Sequence, residues 1–343
     1  MRPNAAPWRS PILFAVGSAA ATATTLLLLW VTRQMLLLVF AGVLLAVLLG
    51  AAARPVQRRL RMGRAVALAT VTTAAALLVT IGTWLHGAEF AAQFAQLGER
   101  MPQAVAELRA WLMQYAWGQV LVSRAALARD AGLSALMGRI STALSSTLTI
   151  GAVLFVVVFL GYYLAAEPLR YLRGAVRLLP VDMRHRGQQV ADALVRTLHW
   201  WLVAKLIEMA SVGILATIAL LVLGIPMAVP FGIITTALTF IPTIGPLLAA
   251  AGPVLIGFTI SPGRAVAAAL AYWLVYALQG FIIAPLVERR AVHVPPAFTM
   301  GLQVFLAITS GALGVALAAP LAAVLLVLVR MVYVEDVLGD RAS

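Results

Sequence analysis

The chain has 343 residues, of which 63% are hydrophobic and only 11% are charged. A soluble domain carries about a quarter charged residues, so this composition excludes an ordinary soluble fold. The net charge of +13 does not indicate nucleic-acid binding, because the basic residues lie in short strips between apolar runs. Such strips hold loops on the cytoplasmic side of a membrane. The chain has no cysteine, which excludes disulfides, thiol catalysis and cysteine-based metal sites.

Residues 1–86 predict an N-terminal block of three transmembrane helices. Pro11 to Val31 and Gln34 to Ala53 are the first two spans, joined by a tight turn at Arg33, and the third lies between Arg64 and His86. An arginine strip between the second and third spans predicts a cytoplasmic loop and a cytoplasmic N-terminus. The strip comprises Arg54, Arg58, Arg59, Arg61 and Arg64.

Residues 87–145 form the one stretch polar enough for water, and they predict a small extracytoplasmic helical region. Val105, Leu108 and Leu112 make an apolar stripe that begins just after Pro102, which suits the first turn of a helix. A helical cap or a subunit contact is the preferred interpretation of this region. A dedicated ligand-binding domain is the alternative.

Residues 146–166 predict the fourth span, which returns the chain to the cytoplasm, and residues 167–198 predict cytoplasmic amphipathic helices. Leucine and valine side chains occupy one face of the first of these helices, whereas Arg170, Arg173 and Arg177 occupy another. A helix with one apolar and one cationic face suits an anionic membrane surface. It is either an anchored lever or a positively charged stop signal that lies flat.

Residues 199–330 predict the transport core, in which two long apolar segments are interrupted. His199 to Val222 is the fifth span. Met227 to Ile260 is an uncharged, mainly apolar segment of 34 residues, enough for a straight helix of about 50 Å, but Pro242, Gly245 and Pro246 break it. Such a break is tolerated only where it is buried in protein or lines a wet cavity.

A second unit repeats this pattern. Gly263 to Val287 is a span, and Ala297 to Val329 is a long apolar segment broken between Thr309 and Gly314. Broken segments at corresponding positions are the best sequence pointer to a transport site. Residues 331–343 are a cytoplasmic tail.

The fold class is therefore an all-α polytopic membrane protein with six to eight transmembrane helices. If both broken segments are re-entrant hairpins, Arg289 and Arg290 lie in the cytoplasm and Arg264 lies outside. If both are full spans, these sides exchange. The distribution of arginines favours the hairpins by two to one.

Few polar side chains lie within the predicted spans. Glu208 is near the midplane, where a charge costs about 2.5–3.5 kcal/mol, so it is a functional candidate. Lys205 lies on the same helical face, and the alternative is that the two residues pair and serve packing. Gln279 is expected to make an interhelical hydrogen bond.

The two breaks supply the other candidates for the substrate path. Their backbone carbonyls and hydroxyls offer partners for a neutral polar solute, although the hydroxyls equally suit capping of the broken helices. The candidates are Pro242, Thr243, Gly245, Thr309, Ser310, Gly311 and Gly314. We expect the hairpin tips near Gly245 and Gly311 to approach each other.

Catalysis finds little support in the sequence. The four histidines are scattered without metal-ligand spacing, and no phosphate-binding glycine loop is present. We expect no enzyme activity, no cofactor and no metal site.

The chain resembles the AI-2 exporter (AI-2E) family, also called the PerM-like permeases, over nearly its whole length. The most specific segments are Phe240-Ile-Pro-Thr-Ile-Gly-Pro246, Pro285-Leu-Val-Glu-Arg-Arg290, Gly311-Ala-Leu-Gly-Val-Ala-Leu-Ala-Ala-Pro320 and Tyr333-Val-Glu-Asp-Val-Leu-Gly-Asp340. The resemblance implies an inner-membrane exporter of small polar signals and a homo-oligomer, expected to be a pentamer. Relatives often carry an aromatic residue where this chain has Thr243, a departure that bears on the substrate rather than the fold.

Three functions stay open. The first is export of a small polar solute, such as an autoinducer-2-like signal, by uniport or with proton coupling. The second is sodium or lithium exchange for protons, against which no aspartate lies in any predicted span. The third is a membrane scaffold that does not transport.

Overall fold

The structure is a computed structural model that describes residues 11–128, 147–287 and 294–340, and all regular elements in these ranges are helical. The longer α-helices are α1 (Pro11–Leu60), α2 (Arg64–Leu112), α3 (Ala116–Ala128), α4 (Thr147–Ala166), α5 (Pro168–Arg177), α6 (Arg184–Val222), α7 (Ala228–Thr239), α8 (Ile244–Ile260), α9 (Pro262–Leu278) and α10 (Pro296–Leu328). A 3₁₀ turn (Val181–Met183) precedes α6. A π-helical turn (Gln279–Ile283) and a last α-turn (Ala284–Val287) prolong α9, and a π-helical stretch (Val329–Glu335) prolongs α10.

The described helices confirm the predicted fold class. Five helical stretches are long and apolar enough to cross a membrane, and α4 with α5 makes a sixth if this bent pair counts as one span. The five stretches are Trp30–Leu60, Arg64–Leu85, Val181–Val222, Pro262–Leu286 and Pro296–Glu335. The protein is therefore an all-α polytopic membrane protein.

The predicted turn at Arg33 is wrong, because α1 runs without interruption from Pro11 to Leu60. The guanidinium group finds partners on its own helix and needs no water-filled turn. Its Nη1 donates to the carbonyl oxygen of Trp30 at 2.7 Å, and its Cζ lies 4.3 Å from the centre of the Trp30 ring. Such cation–π stacking lowers the cost of a charge at an apolar surface.

The predicted helix start near Pro102 is also wrong, because α2 continues through this proline to Leu112. Leu97 and Ala104 are buried in a core that they share with α7, α8 and α9. The ring of Trp111 lies 5.5 Å from that of Phe258 on α8. The second half of α2 thus packs on the helices of the first hairpin and on α9, while residues 129–146 lie outside the described residues.

The first broken segment is a helical hairpin. A Cβ atom on Gly245 would overlap the carbonyl group of Leu238, and one on Gly252 would meet the Phe231 ring at 2.6 Å. Residues 238 and 245 therefore face each other, as do residues 231 and 252, which is antiparallel pairing about a tip at residues 240–243. At about 18 and 25 Å, α7 and α8 are both too short to cross a hydrocarbon core of about 30 Å.

The second broken segment also reverses direction. Gly311 has φ 67° and ψ −148°, a conformation that only glycine adopts readily. A Cβ atom on Gly314 would lie 2.6 Å from the carbonyl oxygen of Leu306, whereas residues eight apart in a straight helix are about 12 Å apart along the axis. Residues 296–310 and 312–328 are therefore two arms of a hairpin within α10.

Helix α6 packs against both hairpins. It packs against α7, α9 and α10, and Leu198 and Leu202 share a core with α1 and α10. At its C-terminal end, Arg264 at the start of α9 donates to the carbonyl oxygen of Leu223. The end of α6 and the α8–α9 turn therefore lie together, and the first hairpin points away from this end. Arg289 and Arg290 lie outside the described residues.

Candidate functional site

Buried polar side chains of the described residues converge beside the tip of the first hairpin. They are Lys205, Thr235, Thr239 and Gln303, which are 7%, 0%, 2% and 2% exposed. The four come from α6, α7 and the first arm of α10. Polar groups within an apolar core are costly unless they are paired, so their clustering is the main sign of a functional site.

Lys205 and Glu208 form an ion pair on α6, with Nζ donating to Oε2 at 3.0 Å. The side chain of Lys205 is 8% exposed and that of Glu208 is 21% exposed, so the carboxylate is the more accessible partner. Glu208 also interacts electrostatically with Tyr276 on α9. The predicted pair is confirmed, and it joins a wider polar cluster rather than standing alone.

Two hydroxyl pairs connect the first hairpin to α9. The Thr235 hydroxyl lies 2.8 Å from that of Tyr272, and the Thr239 hydroxyl lies 3.3 Å from that of Tyr276. The two threonines are four residues apart on α7, and the two tyrosines are four residues apart on α9. The threonine hydroxyls therefore lie along one face of α7, and the tyrosine hydroxyls lie along the facing side of α9. The row ends at Thr239, directly before the tip.

Gln303 links the two hairpins. Its Nε2 donates at 3.0 Å to the carbonyl oxygen of Pro242 at the first tip. The broken helix leaves this carbonyl without its usual helical partner, and it accepts from the Ile244 N–H of the turn and from Gln303 instead. This contact joins the first tip to the middle of the first arm of α10, and an approach of the two tips themselves, near Gly245 and Gly311, stays a prediction.

Thr243, at the first tip, has a strained backbone conformation. It has φ 67° and ψ −56°, and the N–H of Ile244 donates to the carbonyl oxygen of Pro242 at 2.7 Å. This is a γ-turn of the rare, strained type. Strain of about 1–3 kcal/mol at a non-glycine residue is typical of ligand sites and switch regions. Gly245 follows this turn, and its missing side chain lets the two helices meet.

The groups of the first tip lie at a common depth. Glu208 is fourteen residues before the end of α6, and Tyr276 is fourteen residues after the start of α9, which places each about 21 Å from the shared end. Thr239 is eleven residues into α7, or about 17 Å from the same end. The cluster therefore forms a layer about 17–21 Å from the shared end of the helices.

The second tip has a different partner. Arg33 Nε donates to the carbonyl oxygen of Thr309 at 2.6 Å, and the Thr309 hydroxyl lies 3.5 Å from that of Ser310. Thr309, Ser310, Gly311 and Gly314 thus form a tip held by α1. The second tip therefore contacts Arg33 of α1. The contact with the first tip comes from Gln303, in the first arm of α10.

Gln279 begins the π-helical turn that prolongs α9. It is partly buried, and α6 contacts this turn. Single π-helical turns inside helices are frequent at functional sites. The predicted interhelical hydrogen bond of Gln279 stays a prediction.

Sequence reasoning missed several residues of the cluster. Thr235 with Thr239 and Tyr272 with Tyr276 repeat at a spacing of four within apolar helices, and this spacing could have identified them. Gln303 is a lone amide in a segment without charges. No local pattern links it to Pro242, 61 residues earlier.

Two helical hairpins and a layer of buried polar groups within a polytopic helical fold define the arrangement of a membrane transporter. The family comparison agrees, since a family model described as AI-2E family transporter matches residues 20–333. The chain belongs to this family.

Two Bacillus subtilis (strain 168) proteins are similar to part of the chain. "Putative transport protein YueF" is 31% identical over 172 residues, which are 50% of this chain and 47% of that protein. "Putative transport protein YrrI" is 25% identical over 170 residues, which are 50% of this chain and 48% of that protein. The matches thus span about half the length of these curated relatives.

Proposed function

We propose that this transporter exports a small polar solute and that the solute passes the tip of the first hairpin. The observation that carries the proposal is the convergence of Lys205, Thr235, Thr239 and Gln303 at this tip. Their donors and acceptors suit a neutral polar molecule such as an autoinducer-2-like signal. The family match supports transport in general, and the direction and the solute belong to this proposal.

The proposed mechanism uses the tip as a gate. A solute hydroxyl replaces the Gln303 amide on the Pro242 carbonyl oxygen, which releases the first hairpin from the second. The strain at Thr243 lowers the cost of rearranging the tip, because a strained turn loses little on opening. Glu208 is the proton-binding group of the cluster, and protonation frees Lys205 from its partner.

Flux through purified protein in proteoliposomes tests this proposal. We expect Gln303→Leu to reduce flux at least about tenfold, because the Pro242 carbonyl oxygen loses the donor from the second hairpin and keeps only the Ile244 N–H of its own turn. Gln119→Leu is the matched control, since Gln119 is exposed and bonds only locally to Met113. Equal flux in the two variants would overturn the role of Gln303. A folded protein that moves no solute in a broad screen would favour a scaffold.

Exchange of sodium or lithium for protons is the second candidate function. Glu208 supports it, because a partly accessible carboxylate among buried groups can bind a cation or a proton in turn. The same vesicles decide between the candidates if a pH-sensitive dye is enclosed. A proton signal that depends on sodium or lithium and needs no organic solute favours exchange.

We also propose that the protein is a homo-oligomer in the bacterial inner membrane, with both termini in the cytoplasm. The family resemblance supports the location and a pentamer. Mass measurement of the detergent-solubilised protein tests the assembly, and a monomer at all concentrations would contradict it.

A further inference from the structure

A cavity of about 330 Å³ lies between α5, the start of α6 and the tail that follows α10. Its walls are almost wholly apolar and include Leu172 and Val176 from α5, Val190 and Leu194 from α6, and Val332 from the tail. The volume is at the lower end of the range of ligand pockets, about 300–1,000 Å³. The site lies outside the transport core described above.

The polar side chains of the cavity wall bond to each other. Arg186 forms ion pairs with Asp336 at 3.0 Å and with Glu335 at 2.7 Å, and its Nη2 also donates to the carbonyl oxygen of Met331 at 2.9 Å. These bonds hold the tail across α6 and leave apolar surface for the occupant. An acyl chain fits such a wall, whereas a polar solute does not.

The position of α5 gives the cavity access to lipid. The axis of α5 is bent by 86° relative to that of α4. If α4 crosses the membrane, α5 therefore runs along its plane, at the depth of the lipid headgroups. The apolar face of α5 lines the cavity, and exposed apolar residues beside it, Leu169 and Leu178, face outward.

The other face of α5 is positively charged. Arg170 pairs with Glu167 at 2.8 Å, whereas Arg173 and Arg177 form no ion pair with any residue that the structure describes. Their side chains lie four residues apart on one exposed face, which suits a phosphate group at the membrane surface.

We propose that the cavity holds the acyl chain of an anionic phospholipid whose headgroup is bound by Arg173 and Arg177. The occupant ties α5 to α6 and to the tail. Since α6 carries Lys205 and Glu208 and the tail continues the second hairpin, the bound lipid contacts both the helix of the ion pair and the segment that follows the second hairpin.

Photocrosslinking in vesicles tests the proposal. The probe is phosphatidylglycerol with a diazirine on one acyl chain, and phosphatidylcholine with the same chain is the neutral comparison. We expect crosslinked peptides from residues 172–194 and 332–336 to exceed those from other lipid-facing helices, with phosphatidylglycerol preferred. Uniform labelling along all apolar helices would overturn the site.

Matched variants separate the acyl chain from the headgroup. Ala191→Trp fills the cavity and should abolish labelling there, whereas Ala210→Trp, on an exposed face of the same helix, should not. The smaller change Ala191→Met serves if the tryptophan variant is unstable. The double variant Arg173→Gln and Arg177→Gln should lower the preference for phosphatidylglycerol roughly tenfold.

Two results would contradict the proposal. One is unchanged labelling at residues 172–194 in both Ala191 variants. The other is a disulfide between two copies that each carry a single cysteine at position 191, which would make the cavity a subunit contact.

Discussion

Glu208 occupies the most informative position at the residue scale. It pairs with Lys205, reaches Tyr276 electrostatically and is more exposed than either the lysine or the neighbouring threonines. An ion pair in an apolar core is weak evidence for stability, because desolvation offsets most of the attraction. A well-packed apolar pair would serve packing as well, so the geometry favours a role in proton or solute binding.

The first prediction concerns this carboxylate. Glu208→Gln removes the titrating group and should abolish the pH dependence of flux in proteoliposomes. It also leaves the Lys205 ammonium buried without a counter-charge, which should lower the free energy of unfolding by up to about 3 kcal/mol.

The control is the double variant Lys205→Gln and Glu208→Gln, which removes both charges. It should recover most of the lost stability while flux stays independent of pH. If the single variant retains the wild-type pH profile, Glu208 is a packing partner of Lys205 only.

At the element scale, the two hairpins share one construction. Each contains a glycine that follows the tip and faces a leucine carbonyl on the opposite arm, Gly245 against Leu238 and Gly314 against Leu306. Each tip also gives a carbonyl oxygen to a side chain from another helix, Gln303 at the first and Arg33 at the second. The repeat seen in the sequence is thus a repeat of backbone geometry.

The second prediction follows from the close approach at Gly245. A methyl group there would overlap the Leu238 carbonyl, so Gly245→Ala must separate α7 from α8. We expect a loss of about 1–3 kcal/mol in unfolding free energy and a lower melting temperature in detergent.

Gly301→Ala is the matched control for this substitution. Gly301 lies in the first arm of α10 with open space around it, so alanine there should be neutral or slightly stabilising. Equal melting temperatures for the two variants would show that the hairpin tolerates separation at its tip.

For the whole molecule, composition was enough to predict the fold class, and the proline and glycine breaks predicted where the two long apolar segments reverse direction. Whether these segments are re-entrant in the membrane stays a prediction. The length of the first segment was the decisive observation, because a mainly apolar segment of 34 residues is too long for one span and too interrupted for a straight helix. The continuous course of α1 through Arg33 could not be predicted from the sequence. The Arg33 side chain stacks on the Trp30 ring and donates to the Thr309 carbonyl oxygen, 276 residues away, and neither contact is visible in the sequence pattern.

The polar site was predicted only in part, for the same reason. Glu208, Lys205 and Pro242 are visible as a charge or a break in an apolar run. The partners that complete the site, Gln303 and Tyr276, gain their role from packing between distant segments. Periodicity describes one helix at a time and carries no information about which helix it meets.

The last prediction concerns the orientation of the whole chain. The Arg264 bond to Leu223 places the end of α6 and the α8–α9 turn together, while Arg186 places the start of α6 beside the tail. These two ends lie on opposite sides of the membrane if α6 spans it.

The chain has no cysteine, so single cysteines can be introduced at Gly263 and Leu338, both exposed. In intact spheroplasts, an impermeant thiol reagent should label position 263, whereas position 338 should react only after lysis. A cysteine at position 289 should behave like position 338, because two re-entrant hairpins leave α9 as a single inward crossing. Labelling of position 289 from outside, together with protection of position 263, would contradict this arrangement. If position 338 stays protected, the two broken segments are full spans; if position 338 is labelled as well, the orientation of the chain is reversed.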